Sequence, residues 1–555
     1  MQPPHDVAPV ETAAMTTRDG VRLDADVWRP AGKGPFPVLL MRQPYGRRIA
    51  STPVYAHPSW YARHGFIVVI QDVRGRGTSA GEYRLFVNDA ADGADTVRWA
   101  AALPGSNGAV GMYGFSYQGN TQLLAAAGLV ADGGGAKPLR ALAPAMIGWT
   151  IRDDWAWEGG AFNLAGGVGW GLQMAAEDAR LAGDEEAWLA LRAAAASPPL
   201  GGPVTASPAV LARWPQYGHY ADWVANPDPA PYWDAIAPAG RMAGVDLPML
   251  HVGGWYDTHL AGTLGAFRHF AAAARAPQHL VIGPWTHLGW TGRHPGWDAG
   301  PAGESPIDTL QVEWFRYFLA GEGEAPTRLP PVRLFDMGIR AWRGFPTWND
   351  VPARSFYLGG DGRAALLPSS GRLGDLPADA AGEERVVLDP WRPVPAKGGH
   401  GAVPMGRVDR ADIDHRPDVL TFTTPPLEEE MVLAGSVAAE IFCTADRASF
   451  DVSAVLSEVM PDGRALNLTQ GYRRVAPGDA VQPVRVEMRA TCASIRPGHA
   501  LRLSLAASDF PAHPVNGGDG APPSLARAID AQILTLTVRH GAAAPSRLLL
   551  PVLAA

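Results

Sequence analysis

The sequence predicts an α/β chain that ends in an all-β domain, and three observations carry that reading. Short, continuous apolar runs alternate with segments of helical period through the first half of the 555 residues. A Trp- and Ala-rich stretch interrupts this rhythm at 149–242. From about 355 the helical period disappears, and short apolar runs are separated by Pro, Gly and Asp turns. Strands alternating with helices imply a parallel sheet covered on both faces. Closely spaced strands with turn residues between them imply a sandwich.

In chain order, the first strand is half-buried: Val21, Leu23, Ala25 and Val27 alternate with polar neighbours. Phe36–Met41, Gly65–Ile70 and Ala109–Tyr113 are continuous apolar runs, as expected of buried strands. Asp89–Ala102 carries Ala90, Ala94, Val97 and Ala101 at helical spacing, and a strong helix former starts at Asn120. Within 149–242, Met174–Ala196 reads as one helical stretch, and the region as an inserted cap over the active edge of the sheet. Leu247–Val252 and Gln278–Ile282 read as strands flanking a helix over Leu260–Ala274. Ser305, Pro306 and Asp308 suit the cap, first position and first turn of another helix, with Leu310, Trp314, Tyr317 and Phe318 turned inward. Val432–Phe442, Phe450–Leu456 and Leu501–Leu505 read as strands of the C-terminal domain. The expected division is a core in two parts, 1–148 and 243–354, a cap at 149–242 and a β-sandwich at 355–555.

Composition removes several classes of function. Apolar residues make up 47% and charged residues 18%, a globular balance that excludes disorder as the main state. The 64 Gly and 51 Pro mean many turns, but too few for a low-complexity chain. A net charge of −8 offers no basic face, so neither a nucleic acid nor an anionic membrane is expected as a partner. No apolar run is long enough to span a bilayer. The opening residues, Met1 to Asp6, lack the pattern of a signal peptide, so a cytoplasmic location is the default. Cys443 and Cys492 are too few for a disulfide framework and read as small buried apolar residues, with one bridge as the alternative. The 19 Trp exceed both Tyr and Phe, so several are expected at pockets or domain seams. The oligomeric state is open, a homodimer being one option.

Two serines sit in nucleophile-like contexts. Ser79, in Gly77-Thr-Ser-Ala-Gly81, matches G-x-S-x-G literally, whereas Ser116, in Gly114-Phe-Ser-Tyr-Gln-Gly119, has its second glycine one place late. A nucleophile elbow needs a buried strand before the serine and a helix after it, so that the next backbone N–H can bind an oxyanion. Ser116 has both flanks. After Ser79 comes Gly81-Glu-Tyr-Arg-Leu-Phe86, which starts no helix, so this stretch reads as a surface turn. A serine nucleophile needs a base and a group to orient it. Asp257 and His287 each lie just beyond a predicted strand, in the order Ser, Asp, His, with His259 as a rival base. Gly75-x-Gly77-x-x-Ala80 imitates a dinucleotide fingerprint but lacks the helix that should come next. No metal or cofactor motif appears.

With these residues in place, the chain resembles the CocE/NonD hydrolases, the family of cocaine esterase, α-amino-acid ester hydrolases and X-Pro dipeptidyl-peptidases. The resemblance rests on Arg42–Tyr45, Gln71–Gly81, Asp92–Trp99, Val110–Gly119, Gly159–Phe162, Gly253–Asp257 and Gly283–His287. Pro461–Arg464 and Ser508–Pro511 extend it into the C-terminal domain. It implies an α/β-hydrolase core, a helical cap and a β jelly roll, with Ser116, Asp257 and His287 as triad. It also implies an oxyanion hole made by the Tyr45 hydroxyl and the Tyr117 backbone N–H. The family's elbow is itself G-x-S-Y-x-G, which accounts for Gly119. The activity implied is cofactor-free hydrolysis of small carboxylic esters through an acyl-enzyme. An amide-cleaving acylase or X-Pro peptidase is the alternative, and a non-catalytic jelly-roll binding protein is the alternative of another class. Family members that hold a substrate ammonium use carboxylates, and in the ester hydrolases two of these lie just after the triad aspartate. Here that stretch is Thr258-His259-Leu260, which has no acid and favours plain esters, with Asp153 and Asp154 in the cap as the alternative source of charge.

Overall fold

The apolar runs of the first half assemble into one ten-stranded sheet. Its strands are β1 (Glu11–Thr16), β2 (Arg22–Trp28), β3 (Phe36–Gln43), β4 (Ile67–Asp72), β5 (Ser106–Phe115) and β6 (Leu139–Ala145). After a small hairpin, β7 (Trp157–Glu158) and β8 (Ala161–Phe162), the sheet resumes with β9 (Met249–Tyr256) and β10 (Gln278–Thr286). A second small hairpin, β11 (Arg293–His294) and β12 (Trp297–Asp298), precedes β13 (Val332–Asp336) and β14 (Ala341–Phe345). The order across the sheet is β1-β2-β4-β3-β5-β6-β9-β10-β13-β14. The strands from β4 to β13 pair in parallel, and β1, β2 and β14 join antiparallel at the edges. This is a computed structural model, and it describes residues 5–48, 53–202, 205–348, 351–478 and 482–554. Residues 1–4, which carry much of the leader reading, lie outside the described residues.

Helices cover the sheet as the periodicity requires: α1 (Pro58–Arg63), α2 (Asp89–Ala101) and α3 (Tyr117–Ala131), then α8 (Leu260–Ala273) and α9 (Ile307–Phe315) after the cap. The cap itself holds α4 (Leu164–Ala182), α5 (Glu185–Ala196), α6 (Ala209–Arg213) and α7 (Tyr220–Ala225). Met174–Ala196 is therefore two helices rather than one. Gly183 adopts a left-handed φ of 74° that ends α4, and the Asp184 carboxylate accepts the Ala187 N–H to cap α5. The α9 helix starts one position later than its sequence suggests, with the Ser305 hydroxyl accepting the Ile307 N–H at 3.3 Å. Its buried face is Ile307, Val312, Trp314 and Phe315, while Leu310, Tyr317 and Phe318 are only half-buried.

Strand β2 departs from its half-buried reading. Leu23, Ala25 and Val27 are buried, but so are Asp24 and Asp26 on the other face. Partners from later loops offset the cost of burying those carboxylates: Arg47 meets Asp26 at 2.9 Å, and the Thr78 hydroxyl meets Asp24 at 2.6 Å.

The C-terminal half forms an eleven-stranded sheet between Arg354 and Leu550, in which nine strands close on themselves through the pairing of Met431–Ala445 with Arg547–Leu550. The helical elements described there are two short turns, Ala411–Asp414 (α10) and the 3-10 turn Ala528–Asp530. Cys443 and Cys492 are buried and unpaired. This jelly roll is fastened to the cap by a buried ionic cluster: the Glu158 carboxylate of β7 meets His400 at 2.7 Å and Arg489 at 3.3 Å. Among the described residues, no helix is long and apolar enough to cross a membrane.

Candidate active site

The buried strand β5 delivers the chain to Ser116, and α3 begins at the next residue. Ser116 has φ 57° and ψ −127°, a conformation that non-glycine residues avoid and that persists only where the surroundings enforce it. They do so here. The Ser116 N–H donates to the Ala145 carbonyl at 2.9 Å, and the Ser116 carbonyl accepts from Gly119 and Asn120 at 2.9 and 3.1 Å. Gly119 must be glycine because α3 packs directly on β6: a Cβ there would lie 2.8 Å from the Ala145 carbonyl oxygen and run into Ile147. The late glycine of the motif is thus the contact that presses the helix onto the sheet. Tyr117 opens α3, so its N–H is among those with no acceptor inside the helix and is free to face an oxyanion. The Tyr117 side chain is anchored elsewhere, donating to Asp89 at 2.6 Å and stacking on Phe86 at 4.3 Å.

Asp257 and His287 lie just past the neighbouring parallel strands β9 and β10. The His287 Nδ1 and Asp257 Oδ1 atoms are 2.7 Å apart. Asp257 is fully buried, yet the imidazoles of His259 and His287 hold its carboxyl well below the usual carboxylate range. His287 is half-buried, and its ring packs 5.5 Å from Phe115, the residue before the serine. His259, the rival base, stacks on His287 at 4.8 Å, but its Nδ1 is 3.6 Å from the same carboxylate oxygen, beyond hydrogen-bonding range. Donor atoms of Asp257, His259 and His287 lie within 4.8 Å of one another. That is the spacing a metal ion could bridge, but the Asp257–His287 hydrogen bond already engages two of these atoms.

Tyr45 comes from the loop after β3, and its phenol interacts with the Ser116 hydroxyl and accepts the Trp170 Nε1–H at 3.3 Å. Burial pushes its pKa up to about 12, so the group is a neutral O–H donor at working pH. Beside the serine lies a narrow cavity walled by Tyr45, Phe86, Trp155, Trp170 and Ile151, with His259 at one side. The Trp expectation is met at this seam between core and cap. The cap acids do not reach it. Asp154 is buried, and one of its carboxylate oxygens accepts the Trp149 and Thr150 backbone N–H groups at 2.9 and 2.7 Å. Asp153 is exposed and paired with Arg152.

Ser79 is placed quite differently. Its hydroxyl accepts the Asp24 N–H at 2.9 Å and donates to the Asp72 carbonyl at 2.8 Å, and the side chain is buried. Gly77 takes a φ of 59°, and any Cβ there would collide with the Asp72 carboxylate, which Arg47 holds at 2.6 Å. The glycines of this loop serve a buried ionic turn. No dinucleotide cradle forms, since the next helix, α2, starts only at Asp89.

The fold and this arrangement define a serine hydrolase of the α/β-hydrolase class carrying a jelly-roll domain. Residues 19–289 match the X-Pro dipeptidyl-peptidase (S15) family, and residues 324–549 match the X-Pro dipeptidyl-peptidase C-terminal non-catalytic domain. The chain is 33% identical to cocaine esterase of Rhodococcus sp. (strain MB1 Bresler) over 97% of both chains. Among solved structures it is similar to an aminopeptidase of a marine-sediment Thaumarchaeota archaeon, with a TM-score of 0.81, 22% identity and coverage of 99% and 97%. It is also similar to an α-amino acid ester hydrolase, with a TM-score of 0.78, 22% identity and coverage of 100% and 98%. The chain belongs to the CocE/NonD family of serine ester hydrolases.

What the sequence does not reveal is the makeup of the cavity. Phe86, Trp155 and Trp170 come from separate loops and helices, and no spacing rule links them. His259 is visible in the sequence, but as a rival base rather than as part of the cavity wall.

Proposed function

We propose that the protein hydrolyses small carboxylic esters through an acyl-enzyme on Ser116. His287 takes the Ser116 proton and later returns it to the leaving alkoxide, while Asp257 holds the imidazole in the required tautomer. The Tyr45 O–H and the Tyr117 N–H bind the oxyanion of the tetrahedral intermediate. Water, activated by the same histidine, then releases the acid. The observation that carries this reading is a strained strand-to-helix serine, Ser116, whose preceding residue Phe115 packs on the histidine of a carboxylate–histidine pair 2.7 Å apart. The same 2.7 Å against 3.6 Å supports His287 over His259 as the base.

The ester reading is favoured over an X-Pro peptidase because that substrate brings an ammonium. An unpaired cation in a partly desolvated pocket costs several kcal/mol. Thr258-His259-Leu260 supplies no acid, and Asp154, one oxygen of which is held by its own turn, does not line the cavity. The two unpaired cysteines suit a reducing, cytoplasmic setting. The test is a p-nitrophenyl ester assay coupled to intact-protein mass spectrometry during turnover. We expect hydrolysis with an acyl mass on the wild type that is absent from Ser116→Ala. Hydrolysis surviving unchanged in Ser116→Ala would overturn the assignment.

A further inference from the structure

The cavity beside Ser116 contacts Tyr45 and Tyr117 but not His287. Since His287 must protonate the leaving group, the alcohol lies on its side of the serine and the acyl group occupies this cavity. The walls are flat and aromatic: Phe86 on one side, Trp155 and Trp170 meeting edge to face at 5.2 Å on another. Flat aromatic walls favour a planar group packed against them over a bulky one. The polar groups around it are largely committed. Asn120 exchanges both amide hydrogen bonds with Gly148, at 2.5 and 3.1 Å, and Tyr45 faces the reacting oxygen.

His259 is the exception. It forms the N-cap of α8, and the Thr263 N–H donates to its carbonyl at 3.0 Å, so its backbone is fixed. Its ring lines the cavity while its face stacks on His287. Nδ1 is buried, has no hydrogen-bond partner and faces the Asp257 carboxylate at 3.6 Å. A neutral imidazole beside a carboxylate places its proton on the nitrogen facing that charge, here Nδ1. Burial, helped by the neighbouring His287, pushes the His259 pKa down despite Asp257 and Asp154, which agrees with a neutral ring. Nε2 is then the lone-pair acceptor of a ring that lines the cavity.

We propose that His259 is a specificity-determining residue that selects planar acyl groups bearing a hydroxyl, of the hydroxybenzoyl type, by accepting that O–H at Nε2. The inference rests on the ester-hydrolase reading above. A site built to hydrogen-bond a substrate hydroxyl rejects the analogue lacking it, because its own polar group is otherwise left unpaired. An apolar wall could not discriminate in this way.

The experiment measures kcat/KM for the phenyl esters of benzoic, 3-hydroxybenzoic, 4-hydroxybenzoic and 4-methoxybenzoic acids. Wild type, His259→Leu and His259→Gln are compared. We expect one hydroxybenzoyl ester to exceed the benzoyl ester by tenfold or more in the wild type, with the methoxy ester showing no such gain. The preference runs against intrinsic reactivity for the para isomer, whose hydroxyl donates electrons to the carbonyl. It should collapse in His259→Leu and survive in part in His259→Gln, which keeps an acceptor. Ratios are taken within each variant, so a general loss of rate cancels. Cleavage of all four esters with no hydroxyl preference in the wild type, or a preference that persists in His259→Leu, would overturn the role of His259 and leave the esterase reading intact. Failure to cleave any ester, with no acyl mass on Ser116, would overturn both.

Discussion

Two glycine-rich turns in this protein each carry a serine just beyond a buried parallel strand, one after β4 and one after β5. At Ser79 the hydroxyl is buried and bonded on both sides, to the Asp24 N–H and the Asp72 carbonyl. At Ser116 the backbone is strained, the side chain is half-buried, the neighbouring groups are a phenol and a helix N-terminus, and the preceding Phe115 packs on a carboxylate-bound histidine. The local letters are nearly the same. The chain beyond each serine separates the two turns: the Ser79 loop folds back onto β2 to satisfy buried charges, whereas Ser116 opens α3. A hydroxyl used twice as a structural partner is unavailable as a nucleophile, whereas a half-buried one on a strained turn at a helix N-terminus has the setting that role needs.

The largest effect that would break this contrast is loss of turnover. Ser116→Ala should cut kcat by about 10⁶-fold, the loss seen when a triad serine is removed. Ser79→Ala should stay within about tenfold of the wild type in the same assay. The reverse pattern in steady-state kinetics would exchange the two turns. The oxyanion donors come next, since they belong to the Ser116 turn alone. Tyr45→Phe keeps the ring and removes the donor, so kcat should fall by about 10²–10³ with little change in KM. An unchanged kcat in the folded variant would return Tyr45 to a packing role.

Stability should respond in the opposite order. Ser79→Ala leaves the buried Asp24 N–H without its acceptor and should cost about 1–3 kcal/mol. A urea midpoint equal to that of the wild type would show that the loop does not depend on its serine. The smallest effect concerns charge. The Ser79 loop is dense with paired carboxylates, while the Ser116 cavity offers none to an ammonium. Methyl phenylacetate should therefore be cleaved at least as well as methyl phenylglycinate, compared by kcat/KM where the amine is charged. A tenfold preference for the amine, equivalent to about 1.4 kcal/mol, would show that a carboxylate reaches the cavity after all.

Much of this site is legible in the sequence because its signals are local. A strand before Ser116 and a helix after it can be read from apolar runs and periodicity, and Asp257 and His287 stand at the ends of readable strands. The elements that are not legible are those whose identity depends on distant partners. Strand β1 is mostly exposed and pairs only at the sheet edge, so Glu11–Thr16 shows little alternation. The break between α4 and α5 is masked by alanines on both sides of Gly183-Asp184. The burial of Asp24 and Asp26 depends on Arg47 and Thr78, two loops away. Asp154 looks available in the sequence, and only the fold shows that it stands outside the cavity wall, with one oxygen held by the turn at Trp149–Thr150.

The central claim is that Ser116, and not Ser79, is the nucleophile. Labelling the intact protein with a fluorophosphonate and mapping the adduct by peptide mass spectrometry tests it directly. The expected result is a single phosphonylated peptide containing Ser116, absent when the Ser116→Ala variant is labelled. An adduct on the peptide carrying Ser79 would contradict the account.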